Sequence, residues 1–422
     1  MVLYTGIGSV LMRNWDEILS DVLYDEEKVP SYTLPSPLDY PGTSRRVRTS
    51  FEWMNTRREE IRSLYEKELF GVIPPRADST TFEVLSCDEE SLEGTAVRKE
   101  IRICSRMNNG KEHSMILLLY LPKNCPGRCG AFAGLNFRGN HTTTDEKDVT
   151  LTGALFPRNQ EDYREEARGK HLELWNHREN ILRGYASATI CYHDIFPDHE
   201  GGWADSIYKI FYEDPASAEV KAKHTAIGAW AWGLSRIMDY LETEVCIDPR
   251  KVAVHGHSRL GKTALWVGAN DLRFNLVISN DSGCAGAALF KRCFGENAEC
   301  IYYNFPRWFV PAFAKYIRKE DSMDFDQHFL LGLMAPRPVC VASATEDLWA
   351  DPRGEFLSCK AAAEVYELFG AGENMKNASF PPADVFLTGE ISYHLRTGKH
   401  YQAHFDWEHY LLLADKFFFN KE

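Results

Sequence analysis

Residues 251–266 read Lys-Val-Ala-Val-His-Gly-His-Ser-Arg-Leu-Gly-Lys-Thr-Ala-Leu-Trp, a β-branched run leading into Gly256-His257-Ser258 and then a helix-forming stretch. This is the order a nucleophile elbow requires. A tight strand-to-helix turn lifts the serine Oγ clear of the sheet, and a glycine two residues earlier lets strand and helix approach. The following helix N-terminus favours negative charge developing beside the serine. The predicted chemistry is attack of Ser258 on an ester carbonyl. The usual second glycine lies two residues after the serine, where this chain has Leu260; Gly261 comes one place later. Residues 256–263 also fit a phosphate-loop pattern, G-x-x-x-x-G-K-[ST]. Such a loop normally follows the first strand of its domain, and this one stands more than half-way along the chain.

An elbow serine needs a base and an acid, in the chain order Ser, acid, His. The histidines after Ser258 are His328, His394, His400, His404 and His409. His400, in Leu-Arg-Thr-Gly-Lys-His, lies in a turn before the last helix, where a loop side chain swings over a sheet edge. His394, read as a strand end, is its main competitor, and His404 and His409 are read as surface residues. For the acid, Asp347 follows the run Pro-Val-Cys-Val-Ala-Ser-Ala, and Asp281 closes Leu-Val-Ile-Ser-Asn-Asp one strand earlier. Either would fix the imidazole tautomer.

The elements that must position these groups are legible from periodicity. Residues 81–86, 96–104 and 115–121 read as strands, antiparallel at the start of a sheet. From residue 131, short apolar strands (131–137, 186–192, 252–254, 276–278, 339–342) alternate with helices (226–241, 262–268, 354–369, 407–418). Strands apolar on both sides imply a parallel sheet covered on both faces. A helix is expected over 51–70, stopped by Gly71 and the prolines after it. We expect one α/β domain over residues 1–422. It has an extended, proline-rich N-terminal arm to about residue 50 and loop insertions at about 138–180 and 283–336, where ligands bind in open α/β folds.

The chain has 422 residues and a formal charge of −13, from 48 basic and 61 acidic side chains. An acidic chain without basic runs excludes nucleic acid and an anionic membrane surface as partners. No window reaches the roughly 18 apolar residues of a membrane span. Residues 1–12 lack a basic start and a long apolar run, so no signal peptide is visible. The sequence therefore reads as cytoplasmic, or as secreted or periplasmic with its signal already removed. Eleven cysteines scattered over this length form no disulfide scaffold. Cys125 and Cys129 lack a second pair at zinc-finger spacing, and no metal site is expected. Aromatics make up 13% of the chain, which suits a large core and also sugar-stacking platforms.

With these residues in view, the sequence resembles the glucuronoyl esterases, carbohydrate esterase family 15. The likeness starts at residues 28–35 and runs through Leu135-Asn136-Phe137-Arg138-Gly139-Asn140-His141-Thr142, Gly256 to Lys262, and Ser279-Asn280-Asp281-Ser282-Gly283. It closes with Trp349-Ala350-Asp351-Pro352-Arg353-Gly354-Glu355-Phe356, then Gly398-Lys399-His400 before Asp406-Trp407. In this family arginine follows the serine, with glycine and lysine third and fourth after it, so the displaced glycine becomes a signature. The resemblance implies an α/β-hydrolase three-layer αβα sandwich and hydrolysis of 4-O-methyl-glucuronate esters such as those joining glucuronoxylan to lignin alcohols. By motif, Ser258 is the nucleophile, His400 the base, and Arg259 the oxyanion partner through side chain and backbone. Lys262 would bond sugar hydroxyls, while Glu296 and Trp349 line the sugar site. The family places its acid on either of two strands, and this chain has both Asp281 and Asp347. One is expected to hold His400 and the other to support it, with Asp347 preferred as the holder and Glu346 in its place if the register differs by one. No metal or organic cofactor is required, and the enzyme is expected to act as a monomer. Its alternatives are a carbohydrate acetyl esterase on the same fold and a non-catalytic sugar-binding protein.

Overall fold

In a computed structural model, which describes residues 2–5, 8–11, 13–154 and 161–421, the chain forms two compact units. One comprises residues 73–255, 271–276 and 402–422; the other comprises 1–72, 256–270 and 277–401. Residues 155–160 of the expected first insertion lie outside the described residues. No described helix is long and apolar enough to cross a membrane.

In the first of these units, Ser79–Glu90, Ala96–Arg106 and Glu112–Pro122 form an antiparallel meander with a bulge between Val84 and Ser86. Glu112–Pro122 continues antiparallel onto Tyr185–Cys191. From there pairing becomes parallel: Tyr185–Cys191 beside Cys129–Asn136, and Cys129–Asn136 beside Ile247–His257. Every residue of Cys129–Asn136 and Tyr185–Cys191 is buried, as strands covered on both faces require. The covering helix Ala226–Leu241 has the predicted bounds, and only Ser235 and Asp239 along it keep partial exposure. A helix apolar on every side is a buried one. Thr225 starts it by accepting the Gly228 N–H at 3.0 Å.

The other unit holds the parallel strands Leu276–Asn280, Val339–Ala344 and Ile391–Arg396, with Ala342 opposite both Asn280 and His394. A short antiparallel strand, Phe386–Leu387, pairs with Ile391–Arg396. The helix Arg259–Asn270 starts immediately after Ser258, and Pro352–Glu367 carries proline in its first turn. The expected helix over 51–70 is present as Ser50–Glu52 and Arg58–Tyr65, widened to π-helical turns at Trp53–Arg57 and Glu66–Phe70. Gly71 ends it with φ +69°. The N-terminal arm is held down rather than loosely draped. Leu38 and Tyr40 are buried, and the Pro35 and Pro37 carbonyls accept hydrogen bonds from His328 and Arg57 at 2.8 and 2.9 Å.

The mostly parallel strands, antiparallel at the N-terminal side and flanked by helices, are the α/β-hydrolase arrangement expected. Two histidines are corrected. His409 is not a surface residue: the last helix, His404–Phe419, begins three residues earlier than expected and turns His409 inward to zero exposure. His394 is not at a strand end but within Ile391–Arg396, fully buried. His404 is exposed as expected.

Candidate active site

Ser258 sits at the turn between the strand Ile247–His257 and the helix Arg259–Asn270, with φ +57°. A non-glycine residue in this left-handed region costs on the order of 1–3 kcal/mol and persists where the surroundings over-determine it. Here the Ser258 N–H donates to the Asn280 carbonyl at 2.8 Å, while the Ser258 carbonyl accepts from Gly261 and Lys262 at 2.9 and 3.2 Å. The peptide is therefore pinned on both sides and the side chain stays partly exposed. Gly256 is demanded by space. A Cβ there would lie 2.0 Å from the Leu260 carbonyl oxygen and 2.3 Å from its carbon. Both are backbone atoms that only a shift of the helix could move. The displaced glycine has its own reason: a Cβ at Gly261 would come within 3.0 Å of Ser282 Cβ and 3.1 Å of Ser279 Oγ, whereas Leu260 points into the core at 1% exposure. We predict that Gly256→Ala lowers stability by about 2–4 kcal/mol, the cost of a backbone clash without room to relax. Thermal unfolding of the purified variant measures this, and a melting temperature equal to wild type would contradict the steric account.

The acid-bearing positions follow the carboxyl ends of neighbouring strands, where open α/β sheets bind ligands. Asp281 directly follows Leu276–Asn280, and Asp347 comes three residues after Val339–Ala344. His400 follows Ile391–Arg396 by four residues. His400 Nδ1 lies 2.6 Å from Asp347 Oδ2, a charge-assisted distance that places the proton on Nδ1 and leaves Nε2 free to accept one. The imidazole is 42% exposed and the Asp347 side chain only 5%, so the imidazole faces solvent and the carboxylate does not. Asp281 stands close behind: one nitrogen or oxygen from each of Asp281, Asp347 and His400 fits within 4.8 Å of the others. Asp281 accepts the Tyr401 N–H at 3.3 Å and lies 3.8 Å from the Arg396 guanidinium. Glu346 is exposed, its N–H bonded to the Gly398 carbonyl. The register thus presents Asp347, not its neighbour, to the imidazole.

The Arg259 guanidinium packs over Trp308 and Phe305, at 4.6 and 5.1 Å from the ring centroids, and these two rings stack on each other at 3.9 Å. Such contacts orient a cation without neutralising it. Lys262 is 4% exposed and donates to the Ser282 carbonyl at 2.5 Å, 6.0 Å from the Trp308 ring. Burial lowers its pKa, and the charge of Glu296 works against that. The Ser258 N–H is bonded within the protein and Lys262 points at protein carbonyl, so this loop does not cradle a phosphate. Glu296 is joined to Trp349 twice: its N–H donates to the Trp349 carbonyl at 2.8 Å, and its carboxylate accepts from the Trp349 side chain. Burial raises the Glu296 pKa, opposed by Lys262, that hydrogen bond, Arg259 and His400. All eight residues singled out in the sequence belong to one compact unit.

A carbohydrate esterase from an unknown prokaryotic organism is 42% identical over 401 residues, covering 93% of this chain and 91% of that one. The chain belongs to the glucuronoyl esterase family, carbohydrate esterase family 15. Residues 203–370 of this esterase match the family of fungal glucuronyl esterases. The solved glucuronoyl esterase of Solibacter usitatus superposes with a TM-score of 0.85 at 39% identity, covering 93% of this chain and 99% of that one. A 4-O-methyl-glucuronoyl methylesterase of Schizophyllum commune is 35% identical over 161 residues, 36% of this chain and 40% of that protein.

Several residues around the esterase's site were not visible as such in the sequence. His257 lies 4.5 Å, centroid to centroid, from the His400 ring, with its Nδ1 2.6 Å from Asn280 Oδ1. Burial, then the charge of His400, lowers its pKa to about 3, so it stays neutral beside that imidazole. Phe305 and Trp308 come from the aromatic insertion, where only their abundance was a signal.

Proposed function

We propose that this esterase hydrolyses 4-O-methyl-glucuronoyl esters of glucuronoxylan through an acyl-enzyme on Ser258. His400 Nε2 takes the Ser258 proton as Oγ attacks the uronate carbonyl. The oxyanion develops next to Arg259, whose backbone N–H follows the nucleophile and whose guanidinium stands at the same helix start. His400 returns the proton to the departing alcohol, and water repeats the sequence to free the acid. Asp347 keeps the imidazole in the productive tautomer and stabilises the imidazolium. Lys262, Glu296 and Trp349, grouped beside Arg259, are suited to hold the hydroxyls and face of the sugar.

The observation that carries this reading is the 2.6 Å bond from His400 to Asp347 beside an elbow serine followed by arginine. A positive side chain at the oxyanion suits a substrate whose reacting carbonyl is attached to a polar sugar ring. The test compares benzyl glucuronate with an aryl acetate and acetylated xylan. We expect kcat/KM for the uronate ester to exceed that for either acetate by at least about 100-fold, near 2.7 kcal/mol of differential transition-state binding. Preference for acetate would instead support a carbohydrate acetyl esterase.

A further inference from the structure

We propose that Glu355 is a positioning residue that latches the loop carrying Asp281 to the strand that leads to Asp347. This rests on the serine-esterase reading above. Glu355 lies in the first turns of Pro352–Glu367 and has no exposed surface. Its Oε1 accepts the Gly283 N–H at 2.9 Å and the Ser282 hydroxyl at 3.1 Å, the two residues that follow Asp281. Its Oε2 lies 2.6 Å from the Ser343 hydroxyl, four residues before Asp347. The two acid-bearing segments leave parallel neighbouring strands, and the Asp281 N–H donates to the Ala342 carbonyl at 2.7 Å. One buried carboxyl group adds a second tie, through the two residues that follow Asp281.

Ser282 Oγ already accepts the Ala287 N–H at 2.9 Å, so its own proton is the one given to Oε1. At the other end, the Ser343 hydroxyl donates to Oε2 at 2.6 Å, and the neighbouring Tyr393 hydroxyl donates to the Pro352 carbonyl at 2.9 Å. Glu355 thus accepts three hydrogen bonds on its two oxygens, from Gly283, Ser282 and Ser343. Burial pushes its pKa up to about 8, with the charge of Asp347 acting the same way against the hydrogen bonds from Ser343, Gly283 and Ser282.

A glutamine keeps the shape of this tie, its carbonyl accepting from Gly283 and Ser282 and its amide placed to donate to the Ser343 oxygen. The experiment measures kcat and KM for benzyl glucuronate, together with the rate at which a fluorophosphonate probe labels Ser258, in wild type, Glu355→Gln, Glu355→Ala and Ser343→Ala. We expect Glu355→Gln to stay within about threefold of wild type in all three. Glu355→Ala should lose about 30- to 100-fold in kcat and in labelling rate, the scale of a misplacement near 1 Å, with KM within about threefold. Ser343→Ala, which cuts the tie on the Asp347 side alone, should fall between them and keeps the test open if the alanine at 355 fails to fold. A glutamine variant as impaired as the alanine one overturns a latch made by hydrogen bonds, and an unimpaired Ser343→Ala overturns the tie itself. Because labelling needs no sugar substrate, a wild type that labels rapidly but ignores glucuronate esters refutes the substrate reading and leaves this one standing.

Discussion

Ser258→Ala is expected to reduce kcat/KM for benzyl glucuronate by on the order of 10⁵-fold while leaving the fold intact. Losing the nucleophile removes the covalent route altogether, and such losses in Ser-His-acid enzymes are of that size, near 7 kcal/mol of transition-state stabilisation. His400→Ala should cost a similar amount, because without a base at Nε2 the hydroxyl is a poor nucleophile at neutral pH. The double variant should lose little more than either single one, since both act in the same step. What survives is stabilisation at Arg259, which does not depend on either group. Stability is a useful control here. Ser258 holds φ +57° whether its side chain is hydroxymethyl or methyl, and its backbone bonds to Asn280, Gly261 and Lys262 persist. The melting temperature should therefore move by no more than about 2 °C, the response to a few tenths of a kcal/mol in a chain of this size. Steady-state rates of purified protein on the uronate ester decide the matter. Either single variant keeping more than about 1% of wild-type turnover would remove Ser258 or His400 from the chemistry.

Strand and helix periodicity alone placed Ser258 at a strand-to-helix turn because the elbow is local: a β-branched run, a glycine and a helix within sixteen residues. The same is true of Ala226–Leu241, whose apolar faces and Thr225 cap bound it on both sides. Elements broken by irregular backbone were harder. The last helix is entered through Gln402 and Ala403, a start without the usual cap side chain, and so its start was placed three residues late. That misplacement put His409 on the wrong face. Choosing between His394 and His400 depended on where a strand ends, and Ile391–Arg396 runs two residues beyond His394 before the chain turns. The positions of Phe305 and Trp308 could not be read at all. They come from an insertion of short turns without a period, and their contact with Arg259 is a meeting of residues some 45 apart in sequence. Glu355 was quoted in the sequence only as part of a motif. Its role as a tie emerges from three partners on two segments, Ser282, Gly283 and Ser343, which no spacing rule connects.

The second large effect concerns the two carboxylates, which the sequence left as alternatives and the geometry ranks. Asp347→Asn is expected to lower kcat by about 10²- to 10³-fold with KM within about threefold. An amide there no longer fixes the Nδ1–H tautomer, a change worth up to about 10⁴-fold where a single acid serves the histidine. The smaller figure reflects Asp281, which keeps an oxygen within reach of the imidazole cluster. Asp281 is otherwise engaged by the Tyr401 N–H and lies near Arg396, so its carboxylate is oriented and partly balanced without His400. Asp281→Asn alone should accordingly cost about tenfold or less, because the 2.6 Å bond to Asp347 remains. The double variant is the informative one. If Asp281 substitutes for the missing acid, removing both should cost more than the product of the two single losses, which is the coupling expected of two groups serving one partner. Kinetics of the three variants, at the pH of maximal wild-type turnover, measure that coupling directly. Strictly multiplicative losses would mean that Asp281 supports the loop without ever holding the base. A loss at Asp281 exceeding that at Asp347 would reverse the assignment, despite the shorter bond.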